Sequence, residues 1–246
     1  MFSKIVDIDI GCSESWREKI FLTFDIDWCS DEVLSYTLDI LEKYKIKATF
    51  FVTHKTELLK RMRENSNIEL GIHPNFNPLL NGDFRYGKNI KEVLAYYKEM
   101  VPEAVSVRSH SLTTNSTISQ QLSRRGFRYE CNQIIPHSSG VVIKPYRHWE
   151  SNFITVPHFW EDDVHILYGD KWSVESYLAY EGIKVFDFHP IHLFLNSEKL
   201  ERYENARVSF HDFNNLKIFQ NRDVFGTENF LIEMIEKINK KGKNNG

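Results

Sequence analysis

The chain has 246 residues, 41% of them hydrophobic, three cysteines and a formal net charge of −3. This composition excludes a disordered chain, gives no electrostatic reason to expect a nucleic-acid partner, and argues against a disulfide framework. No stretch approaches the roughly 20 apolar residues of a membrane span, and acids interrupt the first ten residues, so we expect a cytoplasmic protein without a transmembrane segment.

Strand-like and helix-like segments alternate along the chain. The sequence predicts strands over 19–27, 48–52, 68–73, 105–110 and 184–188, shorter strands over 129–135, 141–144 and 153–156, and helices over 30–45, 57–64, 90–100, 116–125, 174–180 and 228–240. This alternation indicates a parallel sheet, open or closed into a barrel. With no repeat or linker in view, we predict one domain spanning 1–246.

Acidic, basic and imidazole side chains stand where the predicted strands end. They are Asp25, Asp27, His73, Arg108, His110 and His189. The carboxyl ends of parallel strands meet at one face of the sheet, where functional groups gather. We therefore expect these side chains to share one site.

Asp25 and Asp27 are two residues apart, so in a strand both carboxylates point to the same side. Like charges this close raise each other's proton affinity unless a cation lies between them. One acid would then bind a metal while the other acts as a base. The alternative interpretation is that the pair caps the helix that follows.

His73 precedes a proline and has Asn77 four residues further on. Together with a distant carboxylate, these side chains form a nitrogen and oxygen donor set suited to zinc or another divalent ion. A histidine in an ordinary loop is the alternative.

Arg108 and His189 are the candidates for orienting and proton-donating groups. Arg108 is expected to hold a carboxylate through a charge-assisted pair, although a surface ion pair is equally compatible with the sequence. His189 follows an apolar strand and is expected to protonate a leaving amine, with Asp187 orienting it. A loop histidine without a role is the competing interpretation.

Residues 160–163 form a tryptophan followed by three acids. These side chains would either orient a histidine or arginine, or lie in a solvated turn. From the sequence alone we favour the turn.

Taken in order, these segments resemble the polysaccharide deacetylase family, also called the NodB homology domain or carbohydrate esterase family 4. The resemblance runs from about Phe21 to His192. The matching segments are 23–27 for the T-F-D-D-G motif in a D-x-D form, 48–52 for the second strand, 73–78 for H-[ST]-x-x-H-P, 108–111 for R-x-P-[YF], 160–163 for the tryptophan-aspartate motif and 188–190 for the leucine-histidine motif.

The resemblance implies a distorted (β/α) barrel of about seven parallel strands and one divalent metal ion, with zinc as the first choice. It implies a metal-dependent hydrolase that removes an N-acetyl or O-acetyl group from a saccharide or saccharide precursor. Asp25 would be the general base, oriented by Arg108, and His189 the general acid. The remaining implied roles are metal ligation by Asp27, His73 and Asn77, and contacts around the ligands or the substrate by His110, Trp160, Asp163 and His192.

The chain departs from the family pattern at two motifs. Asn77 stands where the second motif has its second histidine, and the segment after Arg108 lacks the motif's proline and aromatic residue. An amide oxygen is a weaker zinc ligand than imidazole. Two alternatives therefore stay open: an amidase acting on a C–N bond outside sugars, and a catalytically degenerate protein that binds a saccharide or a partner. The sequence leaves the oligomeric state open.

Overall fold

Parallel strands and helices follow one another through the computed structural model, which describes residues 1–244 and the side chains as far as residue 240. The last two residues of the predicted domain lie outside the described part. The strands are β1 (Phe2–Ser3), β2 (Ile20–Asp25), β3 (Ala48–Val52), β4 (Ile68–Ile72), β5 (Ser106–Val107), β6 (Tyr129–Glu130), β7 (Tyr146–Arg147), β8 (Ile154–Thr155), β9 (Trp160–Glu161) and β10 (Lys184–Phe188).

The helices lie between and after these strands. They are α1 (Asp31–Tyr44), α2 (Leu58–Glu64), α3 (Asn77–Leu80), α4 (Ile90–Met100), α5 (Ser116–Arg124), α6 (Asp162–Tyr168), α7 (Val174–Leu178), α8 (Pro190–Leu195), α9 (Leu200–Ala206), α10 (Phe213–Leu216) and α11 (Thr227–Asn244). Within the described residues, none of them has the length and apolar character needed to cross a bilayer.

The strands form one curled sheet in the order β7-β8-β6-β5-β4-β3-β2-β10-β9, with β1 beside the start of β2. The pairings are parallel except for β7 with β8. The stretch 154–161 pairs with β6 at its start and with β10 at its end. It thereby joins the two sides of the curl, and the predicted distorted barrel of about seven parallel strands is confirmed.

One face of the central strands carries a row of polar side chains, and the opposite face carries stacked aromatic rings. The register places Thr23 opposite Thr49, and Thr49 opposite Glu69, so that polar side chains line the same face. On the opposite face, the ring of Phe24 stacks on Phe50 with centroids 4.7 Å apart. Buried polar side chains need partners, and the polar face provides them for the groups that reach it from the strand ends.

Gly71 on β4 permits the close packing beneath the site. A Cβ at this position would lie 2.7 Å from the ring of Phe51 and 2.8 Å from the carbonyl oxygen of Ser106, so only glycine fits. The same Phe51 ring supports the guanidinium of Arg108, whose carbon lies 4.6 Å from the ring centroid. Gly71 therefore makes room for the Phe51 ring, which in turn supports the guanidinium of Arg108.

Three local predictions were wrong. Strand β5 spans only Ser106–Val107, because its pairing with β4 ends at the hydrogen bond from the N–H of Arg108 to the carbonyl oxygen of Ile72, and a 3₁₀ segment follows at His110–Leu112. No strand forms over 141–144, where Val141 and Val142 are half-exposed. Residues 160–163 are not a solvated turn, because Trp160 is 3% exposed in β9 and the fully buried Asp162 begins α6.

Candidate metal centre and catalytic site

Asp27 reaches the site through a strained turn after β2. Asp27 and Trp28 have φ angles of 33° and 55°, a left-handed conformation that non-glycine residues rarely adopt. The turn is held by a hydrogen bond of 3.1 Å from the backbone N–H of Trp28 to the hydroxyl of Thr53. It places the Asp27 carboxylate beside the imidazole of His73, which directly follows β4.

Three potential ligand atoms form a nearly equilateral triangle. Nε2 of His73 lies 3.3 Å from Oδ1 of Asp27 and 3.3 Å from Nδ1 of His110, and Nδ1 of His110 lies 3.4 Å from Oδ1 of Asp27. A tetrahedral ion with bonds of about 2.0–2.1 Å separates its ligand atoms by about 3.3–3.4 Å. The three side chains therefore fit one face of a tetrahedral zinc site and leave a fourth position for water or substrate.

The protonation states of this triangle suit a cation. Burial opposes the charge on Asp27, but the adjacent imidazoles of His110, His73 and His189 lower the pKa of its carboxyl below the usual range. Burial lowers the pKa of His73 to about 3. Asp27 is thus an anion and His73 a neutral imidazole, the forms in which these side chains bind metals.

Asn77, predicted as the third ligand, has other partners. It begins α3, and its amide group donates to the hydroxyl of Ser111 at 3.2 Å and accepts from that of Thr113 at 3.3 Å. The corresponding place beside Asp27 and His73 is taken by His110, which follows β5 and whose backbone N–H binds the carbonyl oxygen of Pro74 at 3.0 Å. The structure thus brings His110, and not Asn77, to the triangle of potential ligand atoms.

Arg108 connects two buried carboxylates. Its Nη1 donates to Oδ1 of Asp25 at 3.0 Å and also to Oδ1 of Asp187, while Nη2 donates to the hydroxyl of Thr23 at 3.0 Å. Burial raises the pKa of Asp25 to about 6 even though Arg108 opposes this shift. Asp187 therefore pairs with Arg108 and does not orient His189, contrary to the interpretation of the sequence.

His189 is oriented by Asp162, which the sequence analysis did not single out. Nδ1 of His189 lies 2.7 Å from Oδ1 of Asp162, and its backbone N–H donates to Oδ2 of the same carboxylate at 2.8 Å. Burial alone would lower the pKa of His189, but Asp162 raises it well above the usual value. Three consecutive acids follow Trp160, and the sequence contains no signal that separates Asp162 from its neighbours.

A cavity of about 320 Å³ adjoins these groups. Asp27, His110, Asp163, His189 and His192 contribute to its polar wall, and its apolar wall comes from α1, α8, α9 and the chain after α9.

Trp160, by contrast, packs in the aromatic layer under α11, with its ring centroid 4.8 Å from that of Phe230. Of the residues predicted to surround the ligands or the substrate, His110, Asp163 and His192 line this cavity of about 320 Å³, and Trp160 does not.

Comparison with known proteins identifies the class. Residues 22–207 match the model of a family described as WbmS-like polysaccharide deacetylase, and the chain belongs to this family. A crystal structure of WbmS from Bordetella bronchiseptica, a proposed polysaccharide deacetylase involved in O-antigen biosynthesis, is 44% identical with a TM-score of 0.90, covering 96% of this chain and 97% of that chain.

Two more distant structures are also similar. A polysaccharide deacetylase homologue from Mycobacterium smegmatis shows 16% identity and a TM-score of 0.49, covering 91% of both chains. A family 4 carbohydrate esterase from Streptomyces lividans, in complex with acetate, shows 15% identity and a TM-score of 0.44, covering 70% of this chain and 78% of that chain. No curated protein gave a match. Family membership implies an enzyme that acts on carbohydrate acetyl groups.

Proposed function

We propose that this protein is a metal-dependent hydrolase that removes an N-acetyl group from a saccharide or saccharide precursor. The observation that carries the proposal is the triangle of Asp27, His73 and His110, with Asp25 on one side and His189 on another. A ligand set, a base and an acid around one cavity are the parts that hydrolysis of an amide requires.

Asp27, His73 and His110 would hold one divalent ion. Two imidazole nitrogens and one carboxylate oxygen favour zinc among the common divalent ions. Such an ion, when bound, polarises the acetyl carbonyl and lowers the pKa of a water molecule.

Asp25 is the proposed general base. Its Oδ1 is held by Arg108 at 3.0 Å, and its Oδ2 lies 3.4 Å from Nδ1 of His73, so the carboxylate lies beside one of the proposed metal ligands. Because burial raises its pKa to about 6, Asp25 is a stronger base than an ordinary aspartate and is still ionised near neutral pH. Arg108 keeps this carboxylate in one orientation.

His189 is the proposed general acid. Its Nε2 lies 3.8 Å from Oδ2 of Asp27, on the side of the cavity, while Asp162 occupies its Nδ1. The charge of Asp162 keeps the imidazole protonated, so that Nε2–H is available for donation. The nitrogen of an amide must gain a proton before it leaves as an amine, and this need favours N-acetyl over O-acetyl substrates.

Acetate release from a panel of N-acetylated sugars tests the proposal, with the protein stripped of metal by a chelator and then supplied with zinc. We expect activity only after zinc is added, and a loss of about 10²- to 10⁴-fold in kcat for Asp25→Asn with zinc still bound. Asp39→Asn, an acid with a 65% exposed side chain, is the control. If none of the sugars in the panel releases acetate, the proposal is contradicted.

The amidase alternative is tested in parallel by ammonia release from simple amides. A binding protein without catalysis is less well supported, because its main argument was the loss of the motif histidine at Asn77. The imidazole of His110 beside Asp27 and His73 removes that argument.

A further inference from the structure

His189 makes the hydrogen bond that usually supports a metal-bound histidine. Its Nδ1 lies 2.7 Å from Oδ1 of Asp162, a fully buried carboxylate. Metal-binding histidines donate the N–H of one ring nitrogen to such a carboxylate, which fixes the tautomer and makes the other nitrogen a stronger donor to the ion. The ring of His189 is therefore built to act as an acid when Nε2 carries a proton, and as a metal ligand when Nε2 carries none.

Nε2 of His189 has no hydrogen-bond partner among the residues that the structure describes, although only 9% of the residue is exposed. Oδ2 of Asp27 lies 3.8 Å away, beyond hydrogen-bond distance. The other oxygen of this carboxylate, Oδ1, is the one that belongs to the triangle with His73 and His110. A carboxylate with one oxygen on each of two ions suits the separation of about 3.5–4 Å found in two-metal sites. Asp27 is placed to bridge two cations in this way.

Asp163 supplies a second carboxylate at the same place. It lines the cavity of about 320 Å³ together with Asp27 and His189. An oxygen of Asp163, an oxygen of Glu161 and a ring nitrogen of His189 lie within 4.8 Å of one another. Glu161 already contacts Nε2 of His158 at 3.0 Å, whereas Oδ1 of Asp163 is buried and has no hydrogen-bond partner in the described part of the chain. A buried carboxylate oxygen without a partner is costly, and a cation removes that cost.

The lining of this cavity contains no fixed positive charge. All of its lining residues belong to the part of the chain that the structure describes, and neither lysine nor arginine is among them. A cation beside Nε2 of His189 therefore meets the carboxylates of Asp27 and Asp163 without an arginine or lysine to compete for them. One imidazole nitrogen and two carboxylate oxygens are donors that zinc and similar divalent ions accept.

We propose that Nε2 of His189, Oδ2 of Asp27 and the carboxylate of Asp163 form a second divalent-cation site, which zinc fills only in excess. The inference rests on the proposed function, from which it takes the first ion and the acid role of His189. The second site is the weaker one, because the first ion repels its cation and a proton must leave Nε2. A zinc–nitrogen bond forms, the Nε2–H bond breaks, and the proton goes to solvent. Excess zinc therefore removes the general acid and inhibits the reaction that one zinc ion supports.

The test measures zinc bound per chain by equilibrium dialysis of the metal-stripped full chain against rising concentrations of free zinc. We expect a tight ion and a weaker second ion. Asp163→Asn and His189→Gln should each weaken the second ion by at least the roughly 10- to 100-fold that loss of a supporting residue costs, and should leave the first ion in place. Asp170→Asn, at an exposed position after α6, is the matched control and should keep both ions. Zinc adsorbed on exposed side chains persists in every variant, so only an ion lost in both variants counts.

Acetate release measured over the same zinc concentrations tests the inhibition. The rate in wild type should rise as the first ion binds and then fall by about 10²- to 10⁴-fold as the second ion binds, which is the contribution of a general acid. A second ion lost in both variants supports the site even when no sugar releases acetate, a result that contradicts only the proposed function. Binding of a single ion, a second ion that survives both substitutions, or a rate that does not fall as the second ion binds overturns the inference.

Discussion

Asp162 holds His189 through two contacts from one carboxylate: Oδ1 to the imidazole Nδ1 at 2.7 Å and Oδ2 to the backbone N–H at 2.8 Å. Because both oxygens are used, the carboxylate sets the position of the main chain as well as the direction of the ring. Asp162 is fully buried, so water does not compete for these bonds. Nε2 of His189 is consequently directed to the cavity.

Asp162→Asn should lower kcat for acetate release by about 10²- to 10⁴-fold with little change in KM. The amide lacks the charge that keeps His189 protonated, and it can accept at only one of its two terminal atoms. Steady-state kinetics and zinc content measured together check this prediction, since zinc should remain bound. Asp223→Asn, at an exposed position, is the control. A kcat within about threefold of wild type would show that His189 does not depend on Asp162.

His110→Ala should weaken zinc binding by more than the roughly 10- to 100-fold that loss of a supporting residue costs, because it removes one of the three donor atoms. Asn77→Ala should leave zinc affinity nearly unchanged, because its amide binds Ser111 and Thr113. Competition with a chromophoric chelator measures both affinities. If Asn77→Ala weakened zinc binding more than His110→Ala did, Asn77 and not His110 would be the third ligand.

Arg108→Met should lower the free energy of unfolding by about 3–5 kcal/mol, because it leaves the buried carboxylates of Asp25 and Asp187 without their shared cation. Arg61 serves as the comparison. It also contacts two carboxylates, but its side chain is 30% exposed, so Arg61→Met should cost about 1 kcal/mol or less. Urea denaturation of both variants tests the difference, and equal costs would contradict it.

Glu69→Gln should make the free energy of unfolding less dependent on pH. Burial raises the pKa of Glu69 above its ordinary value of 4.5, although the hydroxyl groups of Ser106 and Thr49 oppose the shift. A raised folded-state pKa contributes stability that is present below about pH 4.5 and is lost as the pH rises through the folded-state value.

A glutamine at position 69 keeps these contacts and has no carboxyl group whose ionisation lowers stability as the pH rises. Its amide oxygen accepts from the N–H of Val6 and the hydroxyl of Thr49, and its amide nitrogen donates to Ser106. Unfolding free energies between pH 4 and 8 should show the variant gaining on wild type as the pH rises, by at most about 1.4 kcal/mol per unit. Glu64→Gln, with a 67% exposed side chain, should show no such trend. A constant difference at all pH values would contradict the role given to Glu69.

The long central strands could be predicted because their own residues carry the pattern of a buried strand. Strands β2, β3, β4 and β10 are buried throughout, and their apolar runs were recognised within two residues. The two-residue strands β1, β7 and β9 were missed and β5 was predicted too long, since pairings that short depend on neighbours elsewhere in the chain.

The candidate metal ligands likewise divide into those that the sequence predicted and one that only the structure identified. Asp27 and His73 follow long parallel strands, and this placement brings them to one end of the sheet, where the left-handed turn at Asp27 and Trp28 completes the approach. The choice between His110 and Asn77 depends on left-handed turns at Ser111 and Leu112, which carry the chain away from the sheet directly after His110. Nothing in the composition of that loop distinguishes the two residues.

The sequence by itself determined that charged and imidazole side chains would meet at the carboxyl end of a parallel barrel, because strand direction is a consequence of the alternating pattern. Only the tertiary structure decided which of them touch. Asp187 was expected to orient His189 but binds Arg108, while Asp162, next to Asp163 in the sequence, is the acid that binds His189. Contacts of a few ångströms between distant segments depend on packing and backbone turns, which local residue patterns do not encode.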